Sequence, residues 1–149
     1  AKILQVALGN ENKKVMFGVN QLDSSSSSVF ERTEMMPGFN QATSFVEVQM
    51  NKLDDYGELL EMNDQNSVFI KIDVEGSELS VLRGAKKILS SDNSVILTFE
   101  YSFAWKEAGE KLKEAFHLLD KNQFDVFRIT PLGLERVRFF SNEMDNFLE

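Results

Sequence analysis

The stretch that decides the fold reads VFIKIDVEGSELSVLRGA and runs from Val68 to Ala85. It begins with an apolar run rich in β-branched residues, which is typical of a strand covered on both faces by helices. Gly76 permits a sharp turn at the end of this strand, and Ser77 is a favourable N-cap residue. Leucine and alanine then recur at helical spacing. The stretch therefore predicts a strand, an acidic turn (residues 73–77) and a helix.

A second apolar run, Val95–Phe99, follows this helix. A strand, a helix and a strand within roughly 30 residues form a βαβ unit, so the two strands should be parallel neighbours with a right-handed crossover. Asp73 and Glu75 come at the end of the first strand, and Glu100 comes at the end of the second. Because open α/β sheets bind ligands at the carboxyl ends of their strands, we expect these three carboxylates to share one site.

The segment IKIDVEGSELSVLRGA, residues 70–85, also resembles the signature of the FkbM-type family of S-adenosylmethionine-dependent methyltransferases. Further segments occur in the family's order: QVALGNENKKVMF, a serine-rich segment, VEVQMNKLDDY and, after the signature, SVILTFEY. The resemblance spans most of the chain. It implies an α/β protein with a Rossmann-like class I methyltransferase fold and a C-terminal antiparallel hairpin. It also implies S-adenosylmethionine as the cofactor and the hydroxyl of a sugar or other small-molecule substrate as the methyl acceptor.

Members of this family begin with a strand, a glycine-rich loop and a second strand that ends in an acidic residue. None of these is present in the sequence, and Ala1 matches the start of the family's third strand. The resemblance therefore implies an incomplete fold that lacks its first two strands and does not bind the donor alone. One apolar edge of the Val68–Val74 strand should then be exposed. We expect the N-terminal segment to pair with that edge, or two chains to associate there as a homo-oligomer or strand-swapped dimer.

The three carboxylates are the residues that offer chemistry. Asp73 and Glu75 share one face if the strand continues through both positions. They could bind the sulfonium or amino group of the donor, hold a divalent metal ion, or act as a general base towards a hydroxyl. We assign Asp73, Glu75 and Glu100 to catalysis and Asp73 also to donor binding, and we assign no metal site. The alternative is structural: Glu75 and Ser77 cap the helix, and Asp73 accepts hydrogen bonds from amides at the strand end.

Three further residues are candidates for the site. Ala7 is assigned to donor binding by the resemblance. Tyr101 comes directly after the second strand and could line a substrate pocket, although a buried aromatic side chain is the ordinary alternative. Ser27 lies in a run of five serines, and a serine-containing loop in similar proteins could border a substrate pocket. Composition alone favours a plain surface loop over residues 20–44.

Composition sets broad bounds on the function. The 149 residues are 42% hydrophobic, which suits a single partial methyltransferase domain over residues 1–149 with a substantial core. A formal charge of -8 argues against a nucleic-acid partner or an anionic membrane surface, because both require concentrated positive charge. The absence of cysteine excludes disulfides and thiolate metal sites. With no apolar run of about 20 residues and no visible signal peptide, we expect a cytoplasmic protein.

The rest of the chain follows simple patterns. The N-terminal region predicts a hairpin of two strands around the turn Gly9–Asn12. Asp54 or Asp55 is placed to cap the short helix that it begins, and Gly84 should permit close packing of the signature helix on the sheet. The remaining predicted elements are a strand at 45–50, a helix at 107–121 and a C-terminal hairpin of strands at 124–129 and 134–140.

Two functions from different classes fit these observations. The favoured one is a methyltransferase that uses S-adenosylmethionine and acts on a small-molecule hydroxyl. The alternative is a non-catalytic interaction or assembly domain, derived from the same fold without its donor site. Binding of the methyl donor distinguishes the two.

Overall fold

The computed structural model describes residues 2–19, 44–60, 67–92 and 94–145. Within these ranges the chain is a mixed α/β structure with three small sheets. Its strands are β1 (Ala7–Leu8), β2 (Lys13–Val19), β3 (Ser44–Asn51), β4 (Val68–Ile72), β5 (Val95–Phe99), β6 (Val126–Thr130) and β7 (Gly133–Val137). Its α-helices are α1 (Glu78–Arg83), α2 (Lys86–Leu89), α3 (Phe103–Glu107) and α4 (Leu112–Lys121), with 3₁₀ helices at Leu53–Tyr56 and Asn142–Asp145.

The N-terminal sheet has the order β1-β3-β2. Strand β3 pairs antiparallel with β2 from Ser44 to Met50, and its end pairs parallel with β1, where Ala7 lies opposite Met50. The predicted hairpin between the first two strands is therefore wrong, because β3 lies between them. The turn that starts at Gly9 carries the chain around the end of β3, where the Gly9 amide donates to the Asn51 carbonyl at 3.0 Å.

Strands β4 and β5 pair parallel and in register from Val68 opposite Val95 to Ile72 opposite Phe99. This confirms the predicted βαβ unit. The expectation that helices cover both faces of these strands is not met within the described residues. One face packs on the main core, whereas Phe69 and Ile96, which lie opposite each other on the other face, are 66% and 58% exposed.

The predicted signature helix is divided into α1 and α2, and Gly84 lies at the junction. A Cβ atom at Gly84 would lie 2.0 Å from the carbonyl oxygen of Gly9 and 3.4 Å from the Cα atom of Lys52. Close packing is therefore the reason for this glycine, as predicted, but its neighbours are the N-terminal turn and the segment after β3 rather than the face of a sheet. In that segment the Asp54 amide donates to the Gly84 carbonyl at 3.0 Å.

Asp54 caps a helix other than the one that it was expected to cap. Its carboxylate accepts hydrogen bonds from the amides of Lys87, at 3.0 and 3.1 Å, and Ile88, at 3.1 Å, in the first turn of α2. Asp55 accepts at 2.8 Å from the side-chain amide of Asn12. Both aspartates are structural, and Asp54 joins the segment after β3 to the signature helices.

The main core lies between β4 and the four α-helices. Its largest member is Trp105, which is fully buried on α3. The buried residues of this cluster are Leu53, Ile72, Leu79, Val81, Leu82, Ala85, Ile88, Leu89, Trp105, Leu112 and Ala115. No helix in the described part of the chain is long and apolar enough to span a membrane.

The C-terminal region contains a hairpin, as predicted. Strands β6 and β7 pair antiparallel from Val126 opposite Val137 to Thr130 opposite Gly133. The helix predicted over 107–121 corresponds to α4, which begins later than predicted, at Leu112. The short helix α3 precedes it, and the chain turns between the two at Gly109, whose φ is 71°.

The edge of β4 away from β5 makes no strand pairing within residues 2–19, 44–60, 67–92 and 94–145. The N-terminal strand pairs with β3, so the expected pairing of the N-terminal segment with β4 is wrong. Association of two chains at this edge stays a prediction.

Candidate functional site

Asp73, Glu75 and Glu100 come together at the carboxyl ends of β4 and β5. One carboxylate oxygen from each lies within 4.8 Å of the others, and we call these three residues the carboxylate cluster. The register of the strands explains this meeting, because β4 ends at Ile72 directly opposite Phe99 of β5. Asp73 and Glu100 are exposed and Glu75 is half-buried, so the cluster is open to a ligand from solvent. The predicted meeting of the three residues is confirmed.

The route by which Glu75 reaches the cluster differs from the one expected. Strand β4 ends at Ile72, so Asp73 and Glu75 do not share a strand face. The backbone instead turns into the left-handed region, with a φ of 55° at Glu75 and 102° at Gly76. A glycine adopts such a conformation freely, whereas a residue with a Cβ is strained there. The turn rather than the pleat of the strand brings Glu75 to Asp73.

Glu78, which the sequence patterns did not single out, holds this turn. Its Oε1 accepts from the Val74 amide at 3.1 Å, and its Oε2 accepts from the Gly76 amide at 2.9 Å. Ser77 occupies the N-cap position of α1, but its side chain makes no capping hydrogen bond. Glu78 thus accepts from amides at the end of the strand, which was the structural role suggested for Asp73. The sequence did contain a signal for this role, because Glu78 falls at the same helical spacing as the apolar residues of the helix.

Burial raises the pKa of Glu78, and the nearby charge of Glu75 raises it further. The backbone amides of Glu78 itself, Val74 and Gly76 act in the opposite direction, because they stabilise the ionised form. The pKa is raised overall, so burial outweighs the hydrogen bonds. The ionised form of Glu78 is therefore less favourable in the folded protein than in water.

Lys71, near the end of β4, borders the carboxylate cluster. Its Nζ atom lies 2.6 Å from Oδ2 of Asp73, which directly follows the last residue of the strand. This hydrogen bond and the charges of Asp73 and Glu100 raise the pKa of Lys71. Both side chains of the pair are exposed, so water screens the attraction between them.

Trp105 fixes the other strand end. Its indole Nε1 donates to the carbonyl oxygen of Glu100 at 3.0 Å. Its ring stacks on Phe99 with centroids 5.8 Å apart and meets Tyr101 edge-on at 5.0 Å. The sequence contains only one tryptophan, and its position soon after the second strand was the available signal.

Two further predicted site residues, Tyr101 and Ala7, lie in the described part of the chain. The hydroxyl of half-buried Tyr101 donates to the carboxylate of Asp145. Burial raises the pKa of Tyr101, and the contact with Asp145 raises it further. Ala7 is in β1, which belongs to a different sheet from β4 and β5. Ser27 lies outside the described residues, as does the predicted loop 20–44 apart from Ser44, which begins β3.

A cluster of three carboxylates can act chemically in several ways. Hard oxygen ligands suit a divalent cation, and negative charge also attracts an ammonium or sulfonium group. A carboxylate within reach of a hydroxyl can accept its proton. The donor set therefore fits the cationic groups of S-adenosylmethionine, and it offers a base at the same place.

The family model for the methyltransferase FkbM domain matches residues 1–128. The chain belongs to the FkbM methyltransferase family. The matched region contains both parallel strands and the whole carboxylate cluster, and the mixed α/β structure is consistent with a methyltransferase-like fold. No curated protein and no solved structure matches the chain significantly.

Proposed function

We propose that this FkbM-family protein is an S-adenosylmethionine-dependent methyltransferase that methylates a hydroxyl of a sugar or another small metabolite. The observation that carries the proposal is the carboxylate cluster, whose oxygens lie within 4.8 Å of one another at the carboxyl ends of two parallel strands. Such strand ends are where open α/β sheets bind ligands.

The bound donor would supply a methyl group on a positively charged sulfonium. In this proposal Asp73 binds the cationic part of the donor, with Ala7 at a second donor contact. Glu75 or Glu100 would accept the proton of the substrate hydroxyl as that oxygen bonds to the methyl carbon, while the bond from this carbon to the donor sulfur breaks and the donor leaves as a neutral thioether. Tyr101 and Ser27 remain candidates for substrate binding. Because methyl transfer is an in-line displacement, orientation and local charge supply most of the rate enhancement.

We also propose that residues 1–149 supply only the acidic side of a Rossmann-like site and bind the donor weakly alone. The sequence contains no glycine-rich donor loop between two strands. Among the described residues, β4 pairs with β5 only, so the sheet is smaller than that of a complete Rossmann-like fold.

Calorimetric titration with S-adenosylmethionine tests this function. The titration compares residues 1–149 with the longest open reading frame that contains them. Weak binding to the former and tight binding to the latter is the expected result, and D73N should weaken the tight binding. The matched control is D92N, because Asp92 is an exposed aspartate just before β5, at the opposite end of the strand pair. No binding to either protein would overturn the proposal.

One observation favours the assembly function. Phe69 and Ile96 form an exposed apolar pair on one face of β4 and β5, and an exposed apolar patch favours contact with another chain. Sedimentation equilibrium of the wild-type protein and of F69K tests this second candidate. Concentration-dependent dimers in the wild type that F69K abolishes would support it, and a monomer at all concentrations would contradict it.

A further inference from the structure

Glu78 is a carboxylate in surroundings that disfavour charge. It begins α1, is only 2% exposed, and shares the apolar stripe of Leu82 and Ala85. Removing an ionised carboxylate from water is unfavourable unless hydrogen bonds replace its hydration. Glu78 therefore requires partners within the protein.

Both oxygens of Glu78 find these partners in the acidic turn. One accepts from the Val74 amide at 3.1 Å and the other from the Gly76 amide at 2.9 Å. The two amides lie on either side of Glu75. A single buried carboxylate thus holds the backbone on both flanks of one member of the carboxylate cluster.

The turn needs this support because its backbone is strained. Glu75 has a φ of 55°, and the following Gly76 has a φ of 102°. The left-handed region is unfavourable for an L-residue and persists where the surrounding structure holds it. Release of the turn would let Glu75 return to a right-handed or extended conformation and move its carboxylate away from Asp73 and Glu100.

We propose that Glu78 is a positioning residue, whose two hydrogen bonds to the acidic turn hold Glu75 within the carboxylate cluster. That Glu78 holds the turn is inferred from the geometry of the turn alone. Its effect on catalysis rests on the proposed function. Glu78 acts through Glu75, and being buried it does not contact a ligand at the cluster.

The variant E78Q tests the inference at constant side-chain size. Glutamine has one carbonyl oxygen and an NH₂ group, so it can accept from only one of the two amides. We expect hydrogen exchange at the Val74 or Gly76 amide to accelerate by about tenfold, because one amide loses its acceptor. The three-bond coupling constant that reports φ at Glu75 should change as well. Both quantities are measured by NMR in the folded protein.

The matched control is E110Q. Glu110 is also a partly buried carboxylate, and it accepts from the Nη1 atom of Arg83 at 3.0 Å, away from the acidic turn. E110Q should leave both amides and the Glu75 coupling constant unchanged. The variant G76A disturbs the same turn while Glu78 remains intact, and it should reproduce the change at Glu75. Unchanged exchange and coupling in E78Q, or the same changes in E110Q, would overturn the inference.

Kinetics separates positioning from general destabilisation. E78Q should lower kcat for methyl transfer severalfold while the KM for the acceptor stays nearly constant, and E110Q should leave kcat unchanged. Equal loss of kcat in both variants would contradict a positioning role. These kinetics are measured on the longest open reading frame that contains residues 1–149. If its wild type transfers no methyl group, the proposed function fails, but the NMR comparison still decides whether Glu78 holds the turn.

Discussion

The two strands that meet at the carboxylate cluster hold their acidic residues in different ways. After β4, the backbone is left-handed at Glu75 and is held by the buried carboxyl group of Glu78. After β5, the carbonyl of Glu100 is held by the neutral indole of Trp105, whose ring is packed among aromatic neighbours. The β4 side should therefore respond to changes in charge and hydrogen bonding, and the β5 side to changes in volume.

The largest effect is expected on the β5 side. Trp105→Ala removes a fully buried ring and should lower the free energy of unfolding by about 3–5 kcal/mol. Trp105→Phe keeps most of the ring packing but loses the hydrogen bond to Glu100, and it should cost only about 1 kcal/mol. Equilibrium urea denaturation measures both. Equal losses in the two variants would show that the hydrogen bond, rather than volume, dominates this side.

A steric change at Gly84, between α1 and α2, should lower the free energy of unfolding by the next largest amount. Gly84→Ala places a Cβ atom 2.0 Å from the Gly9 carbonyl oxygen, and such overpacking should cost about 1–3 kcal/mol. The control is Gly57→Ala, because the nearest atom to its Cβ would be 3.7 Å away. Urea denaturation of both variants checks the difference. A Gly84→Ala protein as stable as the wild type would show that the junction between α1 and α2 yields easily.

The charge of Glu78 should appear in the pH dependence of stability. Its pKa in the folded protein is raised, so the folded state retains its proton at a pH where the unfolded chain has lost it. This contribution to stability is complete below the unfolded pKa and is lost as the pH rises through the folded pKa. The free energy of unfolding of the wild type relative to E78Q should therefore fall from weakly acidic to neutral pH.

Urea denaturation at several pH values measures this trend. Burial also raises the pKa of Glu110, so this residue contributes to the pH dependence of stability as well. The same pH series measured on E110Q gives that second contribution separately. A difference between wild type and E78Q that rises with pH would contradict the assignment.

The smallest effect is expected at Lys71. Its ion pair with Asp73 is exposed, so Lys71→Met should barely change the unfolding transition. Removal of the cation beside the carboxylate cluster should tighten donor binding by a few-fold at low salt, and the gain should shrink as salt rises. Calorimetry at two salt concentrations checks this. Weaker donor binding would show that Lys71 contributes to the site directly.

The sequence predicted the parts of the fold that depend on local patterns. Two apolar runs around a helical stretch predicted the parallel pair, and the meeting of Asp73, Glu75 and Glu100 followed from it. The N-terminal hairpin was wrong because β3, distant in sequence, occupies the space between β1 and β2. Pairing between distant segments leaves no mark in local periodicity.

The supports of the carboxylate cluster were missed for a related reason. Whether Glu78 is buried, and whether the indole of Trp105 reaches the Glu100 carbonyl, depends on tertiary packing. The left-handed φ at Glu75 was also not predicted, because the sequence indicates an acidic turn after the strand but does not fix the backbone angles of its residues. Residue type and spacing identified the acidic groups, whereas the means by which they are held required the structure.

Transfer of a methyl group from isotopically labelled S-adenosylmethionine to a panel of sugars and small hydroxyl compounds shows whether the carboxylate cluster is a catalytic site. The measurement uses the longest open reading frame that contains these residues, as wild type, E75Q, E100Q, the double variant E75Q/E100Q and the control D92N. We expect transfer by the wild type and D92N, and loss of most of the rate in the double variant and in the single variant that removes the base. Undiminished transfer by the double variant, or none by the wild type, would contradict catalysis at the carboxylate cluster.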